Sequence, residues 1–154
     1  YTHTFTATAS GYDNATMTET SVSLSFSATG AGSRIARINT GSLSAISPGV
    51  FSDWEGDQYF EAGKTFSNPD VSFVNGTLDQ EPYKSERSAI TNLGSFAYRI
   101  PVPSQGVYIT RLHFAETFFG APGGSIDFIG RRVFDANIQG GLIELDDYDI
   151  AAQV

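Results

Sequence analysis

The chain has two histidines, His3 and His113, and no cysteine, so thiol nucleophiles, disulfides and Cys-ligated metal centres are excluded at the outset. Neither histidine accompanies a Gly-x-Ser-x-Gly elbow or another nucleophile turn. His113 stands between Leu112 and Phe114 in an apolar stretch, which points to a structural imidazole rather than to a general base. Two isolated histidines also lack the ligand spacing of a zinc site. The Gly30-Ala31-Gly32 run is a turn and not a dinucleotide loop, because Ile35 occupies the place of the third glycine and strand-like residues follow where a helix is needed.

Carboxylates offer two further kinds of chemistry. Asp53, Glu55, Asp57, Glu116, Asp135, Asp146, Asp147 and Asp149 are candidates for the facing acid pair of a glycosidase, a reaction that needs a fixed separation and one group kept protonated. Nothing in the spacing selects such a pair, and catalysis is not expected; turnover lost on changing Glu116 or Asp135 would reverse that reading. The cluster Glu144, Asp146, Asp147 and Asp149 could hold calcium, since hard cations take oxygen ligands. It lacks the glycine-bearing twelve-residue loop of an EF-hand, so a solvated acidic turn is expected and neither a metal nor another cofactor is assigned.

The segment LHFAETFFG at 112–120 differs in kind. An apolar alternation ends, and Phe118 and Phe119 follow directly ahead of the Gly120-Ala121-Pro122-Gly123-Gly124 loop. Aromatic faces at the end of a strand can stack on the apolar face of a pyranose while nearby polar groups bond its hydroxyls. The same rings could equally cap a core. Both can meet one ligand only if the strand has ended and the chain turns there, because successive strand residues point to opposite faces.

The elements that must hold these residues follow from patterning. Over 2–9 threonine recurs at even positions, and over 21–27 Val22, Leu24 and Phe26 alternate; Ile35, Ala36 and Ile38 form a third short apolar set. A period of two marks half-buried strands. The stretch from Gly41 to Arg87 is irregular but rich in large aromatics, so it reads as long ordered loops. Strand patterns return at Phe96, Tyr98 and Ile100, again over 107–116, and as a pair over 131–138 and 141–148 joined at Gly140-Gly141. No 3.6-residue apolar period of any length occurs. The 13% aromatic content against 17% charged residues suits sheets and turns. The expected fold is all-β, a β-sandwich of two antiparallel sheets with long loops in the middle of the chain.

With 154 residues the chain is expected to form a single domain. Nine Lys and Arg against 17 Asp and Glu leave a net charge of −8, which repels a phosphate backbone, so nucleic acid is not a partner. No apolar run approaches the roughly 20 residues of a membrane span, and no targeting segment is evident, so membrane insertion is not expected.

Five blocks carry a family resemblance: ARINTGS at 36–42, DWEGDQYFEAGKTF at 53–66, NGTLDQEPYKSER at 75–87, FAYRIPVPSQGVYITRLHFAETFF at 96–119, and RRVFDANIQG with DDYDIAA over 131–152. In this order they resemble the malectin domain. That resemblance implies a jelly-roll type β-sandwich lectin, non-catalytic, with an oligosaccharide or glycan held in a groove of loop aromatics at one end of the sandwich. Family members occur in an animal glycan receptor, in plant receptor kinases and as bacterial carbohydrate-binding modules. The implied setting here is extracellular or at the cell surface, as part of a larger adhesin or glycan-active protein. Thr and Ser make up 15 of the first 40 residues, in keeping with a surface role.

The family's sugar-binding positions correspond to Phe66, Ser88, Phe118 and Phe119, with an aspartate's place falling near Ala31; Glu116 is a neighbour in the groove. Ser88 stands where the family has a tyrosine, and no carboxylate lies in 29–33. Loss of those polar handles would change which sugar fits. It also admits an alternative function, a structural or protein-interaction sandwich that has lost sugar binding. The family's closing strands would follow the DDYDIAA segment, whereas here 1–38 resembles that ending, so these strands are expected to pair in the same chain's sheets, beside 131–148, the alternative being that they complete a neighbouring repeat or a partner subunit.

Overall fold

Along Ser95–Pro101 every second side chain, Phe96, Tyr98 and Ile100, is buried while Ser95, Arg99 and Pro101 face solvent. That alternation is what a strand with one face on a core must show. The computed structural model describes residues 2–8, 23–28, 34–46 and 53–153, the first two of these stretches by their backbone. In chain order the strands are β1 (Thr2–Thr8), β2 (Ser23–Ala28), β3 (Arg34–Ile38), β4 (Phe60–Glu61), β5 (Lys64–Ser67), β6 (Ser85–Ser88), β7 (Ser95–Pro101), β8 (Tyr108–His113), β9 (Val133–Ile138) and β10 (Ile143–Asp149). Short 3-10 turns cover Glu81–Tyr83 and Ile150–Gln153, and no α-helix occurs among the described residues.

Five strands form one antiparallel sheet in the order β10-β9-β1-β7-β4, three form a second, β3-β2-β8, and β5 pairs with β6. The core cluster draws Ala36 and Ile38 from the smaller sheet and Phe96, Tyr98, Ile100 and Ala136 from the larger, with Leu112, Phe114 and Leu145 packed against it. Side chains from the inner faces of two sheets thus close one core, as in an all-β sandwich. β1 lies between β7 and β9, with Phe5 opposite both Tyr98 and Ile138 in register. β2 lies between β3 and β8. Residues from the N-terminal forty therefore occupy an inner position in each of the two larger sheets. The turns expected around residues 11–14 and 29–33 fall outside the described residues.

Two details differ from the patterning. The alternation over 107–116 yields a strand only to His113, after which Phe114 turns onto Phe134 and Tyr148, with ring centroids 5.3 and 5.6 Å away. β6 arises inside the stretch read as loop, and its four residues, Ser85, Glu86, Arg87 and Ser88, are all buried. No apolar alternation marks it because its interior contacts are polar. Ser85 Oγ donates to the Thr40 carbonyl at 3.0 Å, and the backbone of Glu86 lies so close to Gly41 that a Cβ there would sit 2.1 Å from the Glu86 carbonyl oxygen. Gly41 also has φ +82°, so both space and backbone conformation demand glycine.

Candidate functional site

The chain leaves β8 and, five residues on, reaches Phe118. Glu116 shapes this passage: its Oε1 accepts the backbone N–H of Phe118 and that of Phe119, each at 2.9 Å. Two successive amides converging on one oxygen describe a turn, not a strand, so the two rings are freed from strict alternation. Phe118 is half-buried and meets Phe66 edge to face with ring centroids 5.8 Å apart; Phe118 and Phe119 are likewise perpendicular at 5.1 Å. Phe119 is only 4% exposed. Phe118 keeps a partly open face beside Phe66, while Phe119 turns inward.

Phe119 and Glu116 instead border a pocket of about 420 Å³, walled also by Val71, Phe73, Phe128 and Ile150. Phe73 and Phe128 are 65% and 45% exposed at its mouth. The loop after Phe119 is tied down by several hydrogen bonds. Asn68, itself buried, donates through Nδ2 to the carbonyls of Thr117 and Pro122 at 2.7 and 2.9 Å, and Ser125 N donates to the Phe118 carbonyl at 2.9 Å. A Cβ on Gly124 would lie 1.9 Å from that same carbonyl oxygen, so only glycine lets the loop fold back there.

Behind the turn stands a buried charge chain. Arg132, 1% exposed, grips Glu116 with Nε on Oε2 at 2.5 Å and Nη2 on Oε1 at 2.9 Å. Its Nη1 lies 3.7 Å from Glu86 Oε1, and Thr117 Oγ1 donates to Glu86 Oε2 at 3.0 Å. The Arg132 guanidinium also stands 5.2 Å from the Phe119 ring centroid. Charges this deeply buried must be paired; the two-pronged Arg132–Glu116 contact is hydrogen-bonded, whereas Arg132 Nη1 and Glu86 Oε1 form an ion pair with no hydrogen bond between them. Glu116 was expected in the groove; its carboxylate oxygens take four donor contacts from the protein itself, so it shapes the site's backbone.

Ser88 is 1% exposed, and its Oγ is buried with no hydrogen-bond partner among the described residues, so in this conformation it offers no hydroxyl to solvent. Position 31, where the family's aspartate falls, lies outside the described residues. The structure thus brings Phe66, Phe118 and Phe119 into one chain of rings, ties Glu116 beneath them, and buries Ser88. Sequence reasoning missed Asn68, Glu86 and Arg132, whose roles depend on contacts 16 to 54 positions away. The one available signal was a pair of arginines, Arg131 and Arg132, set directly before the strand pattern at Val133-Phe134 in a chain poor in basic residues.

The remaining candidates serve other ends. His113 accepts or donates a hydrogen bond at Nδ1 with the Tyr83 hydroxyl, 2.9 Å away, and meets the Trp54 ring edge-on at 5.5 Å. Burial, with Arg111 and Arg37 adding to it, holds its pKa below the ordinary imidazole value, as suits a neutral structural ring. Asp57 is consumed by Arg87 and Tyr98. Oxygens of Asp135, Asp146 and Asp147 lie within 4.8 Å of one another on the surface, whereas Glu144 and Asp149 accept backbone amides at Ile138 and at Gly130 and Ala151.

The fold is an all-β sandwich with a cluster of aromatic rings, Phe66, Phe118 and Phe119, just beyond the end of β8. The family model described as Malectin domain matches residues 34–154, most of the chain, and the chain belongs to that family. Malectin domains are carbohydrate-binding and non-catalytic. No curated protein and no solved structure matches the chain. Among the described residues no helix is long and apolar enough to cross a membrane.

Proposed function

We propose that the chain is a lectin module that binds a glycan over the end of β8, with Phe118 and Phe66 as the stacking surface. Phe119 forms the floor of the adjoining pocket, and Glu116 and Ser88 act as supporting residues. The observation that carries this reading is the perpendicular Phe66–Phe118 pair at 5.8 Å, half-buried at both positions, next to a hydrogen-bonded glycine-rich loop. A hydrophobic core would be expected to cover such rings; a stacking site leaves part of each open. The setting is extracellular or cell-surface, within a larger adhesin or glycan-active protein, and the whole of 1–154 forms the module, with 1–38 supplying the family's closing strands. Affinity is weak, because a mostly exposed sugar buries few atoms.

A glycan array probed at high protein density tests the function, with Phe118→Ala as the control. Binding by the wild type and its loss in the variant is the expected result. Absence of binding to any saccharide, together with capture of a defined protein partner, would favour a protein-interaction sandwich instead.

A further inference from the structure

We propose that Arg132 is a positioning residue for glycan binding, setting the spacing of the Phe66 and Phe118 rings by bridging the two buried carboxylates tied to the elements that carry them. The inference rests on the sugar-binding reading above. Phe118 hangs on Glu116, whose Oε1 holds the amides of residues 118 and 119. Phe66 lies on β5, where it is paired in register with Glu86 of β6. Arg132 stands between the two, making a two-pronged contact with Glu116 and approaching Glu86 with Nη1 at 3.7 Å. Thr117, the residue before Phe118, closes the circuit by donating to Glu86.

This arrangement is specific to arginine. A planar fork can fix the orientation of the Glu116 carboxylate through two parallel bonds while its third nitrogen faces Glu86; an ammonium is a compact point charge whose donors cannot reproduce that planar two-bond grip. The carboxylate's orientation matters because its Oε1 is the common acceptor for two amides, and a tilted carboxyl group would release one of them. Side-chain exposure of 1% for Arg132 and 1% and 8% for its partners leaves no solvent to substitute for a lost contact. Without the cation the Glu116 carboxylate would lose both bonds that orient it, and the amides of residues 118 and 119 that hang on it would shift relative to the strand bearing Phe66, even though Asn68 still holds Thr117. Phe119, stacked near the same guanidinium, would follow.

The test compares wild type with Arg132→Lys, Glu116→Gln and Phe118→Ala. Three readouts are needed: affinity for the best array saccharide by calorimetry, thermal unfolding, and NMR of the 118 and 119 amides and of ring-to-ring contacts between Phe66 and Phe118. Arg132→Lys is expected to fold, to lose about tenfold or more in affinity, as displaced binding groups do, and to lose the Phe66–Phe118 ring contacts and the downfield amide signals. A merely stabilising role would lower the melting temperature and leave affinity and ring contacts of the folded protein unchanged, and that result would overturn the proposal. If Arg132→Lys does not fold, Glu116→Gln, which keeps an oxygen for the two amides but loses the charge pair, carries the same readouts; failure of both to fold makes Arg132 a folding residue and overturns the proposal as well. If the wild type binds no glycan, the sugar-binding reading fails and the proposal of a glycan-positioning role falls with it, while unchanged NMR signatures in a protein that does bind would sink the positioning role alone.

Discussion

The Tyr98 hydroxyl donates to Asp57 Oδ1 at 2.7 Å across 41 positions of sequence, joining the middle of β7 to the loop that leads into β4. Asp57 Oδ2 takes the Arg87 guanidinium and the backbone amide of Gly41, at 2.8 and 2.9 Å. One buried carboxylate therefore ties together the segment after β3, strand β6 and strand β7. Burial, with the Asp57 charge adding to it, raises the Tyr98 pKa far above the ordinary phenol value, so the hydroxyl stays a donor at all working pH.

Removing that donor alone leaves Asp57 with its other partners, so Tyr98→Phe is expected to cost about 1–3 kcal/mol, the usual range for a lost buried hydrogen bond to a charged group. Asp57→Ala strands the Arg87 guanidinium in the interior and is expected to cost about 3–5 kcal/mol. Denaturant unfolding of both variants checks the order; an Asp57→Ala loss no larger than that of Tyr98→Phe would contradict the role given to the ion pair.

The outline of the fold was legible where burial is apolar and one-sided. Phe96, Tyr98 and Ile100 announce β7, because a strand packed on a core must alternate; the alternation around Leu24 and Phe26 falls within the backbone span of β2. β6 was illegible for the opposite reason: Ser85, Glu86, Arg87 and Ser88 are buried through hydrogen bonds and ion pairs, which leave no hydropathy signal. At the site the two adjacent phenylalanines were visible, since a pair of rings before a glycine-rich loop is unusual. Their unequal burial was not, because it depends on a turn made by Glu116, whose orientation is set by Arg132 from 16 residues away.

The unequal burial separates the two rings in experiment. Phe119→Ala empties a nearly closed position and is expected to cost about 3–5 kcal/mol of stability, as for buried phenylalanine. Phe118→Ala should move stability less and weaken glycan binding by about 0.5–1.5 kcal/mol, the worth of an aromatic contact. Unfolding and calorimetric titration on the same two proteins distinguish these effects, and a large stability loss with unchanged affinity in both would sink the site.

His113 links stability to pH. Burial places its folded pKa below 6.5, while the unfolded chain has the ordinary value, so between the two the unfolded state binds more protons. The contribution of the neutral ring is then fully present above about pH 6.5 and is lost as pH falls through the folded value. Protonation would also turn Nδ1 into a donor and force the Tyr83 hydroxyl to accept. Melting temperatures from pH 7.5 to 5 should fall more steeply for the wild type than for His113→Gln; parallel curves would show that His113 is not the linked group.

The last expectation concerns the strands at the start of the chain. β1 lies between β7 and β9, pairing with all seven residues of β7 and with four of β9, and β2 lies between β3 and β8. Deleting residues 1–30 takes the inner strand out of both sheets at once. The backbone amides and carbonyls of β7 and β9 that point at β1 would lose their partners, as would those of β3 and β8 facing β2, and four new edges would be open to pairing with other molecules. The sheets cannot simply close up, because the core faces of Tyr98 and Ile100 on β7 and Ala136 on β9 are held apart by the width of the missing strand. The shortened protein is therefore expected to be insoluble or aggregated, and supplying 1–30 at the other terminus through a flexible linker should restore folding, since the same pairing remains within reach. Size-exclusion chromatography and circular dichroism on the deleted and relocated forms decide it: a deletion form that is folded and monomeric would show that 1–38 is not an integral part of these sheets.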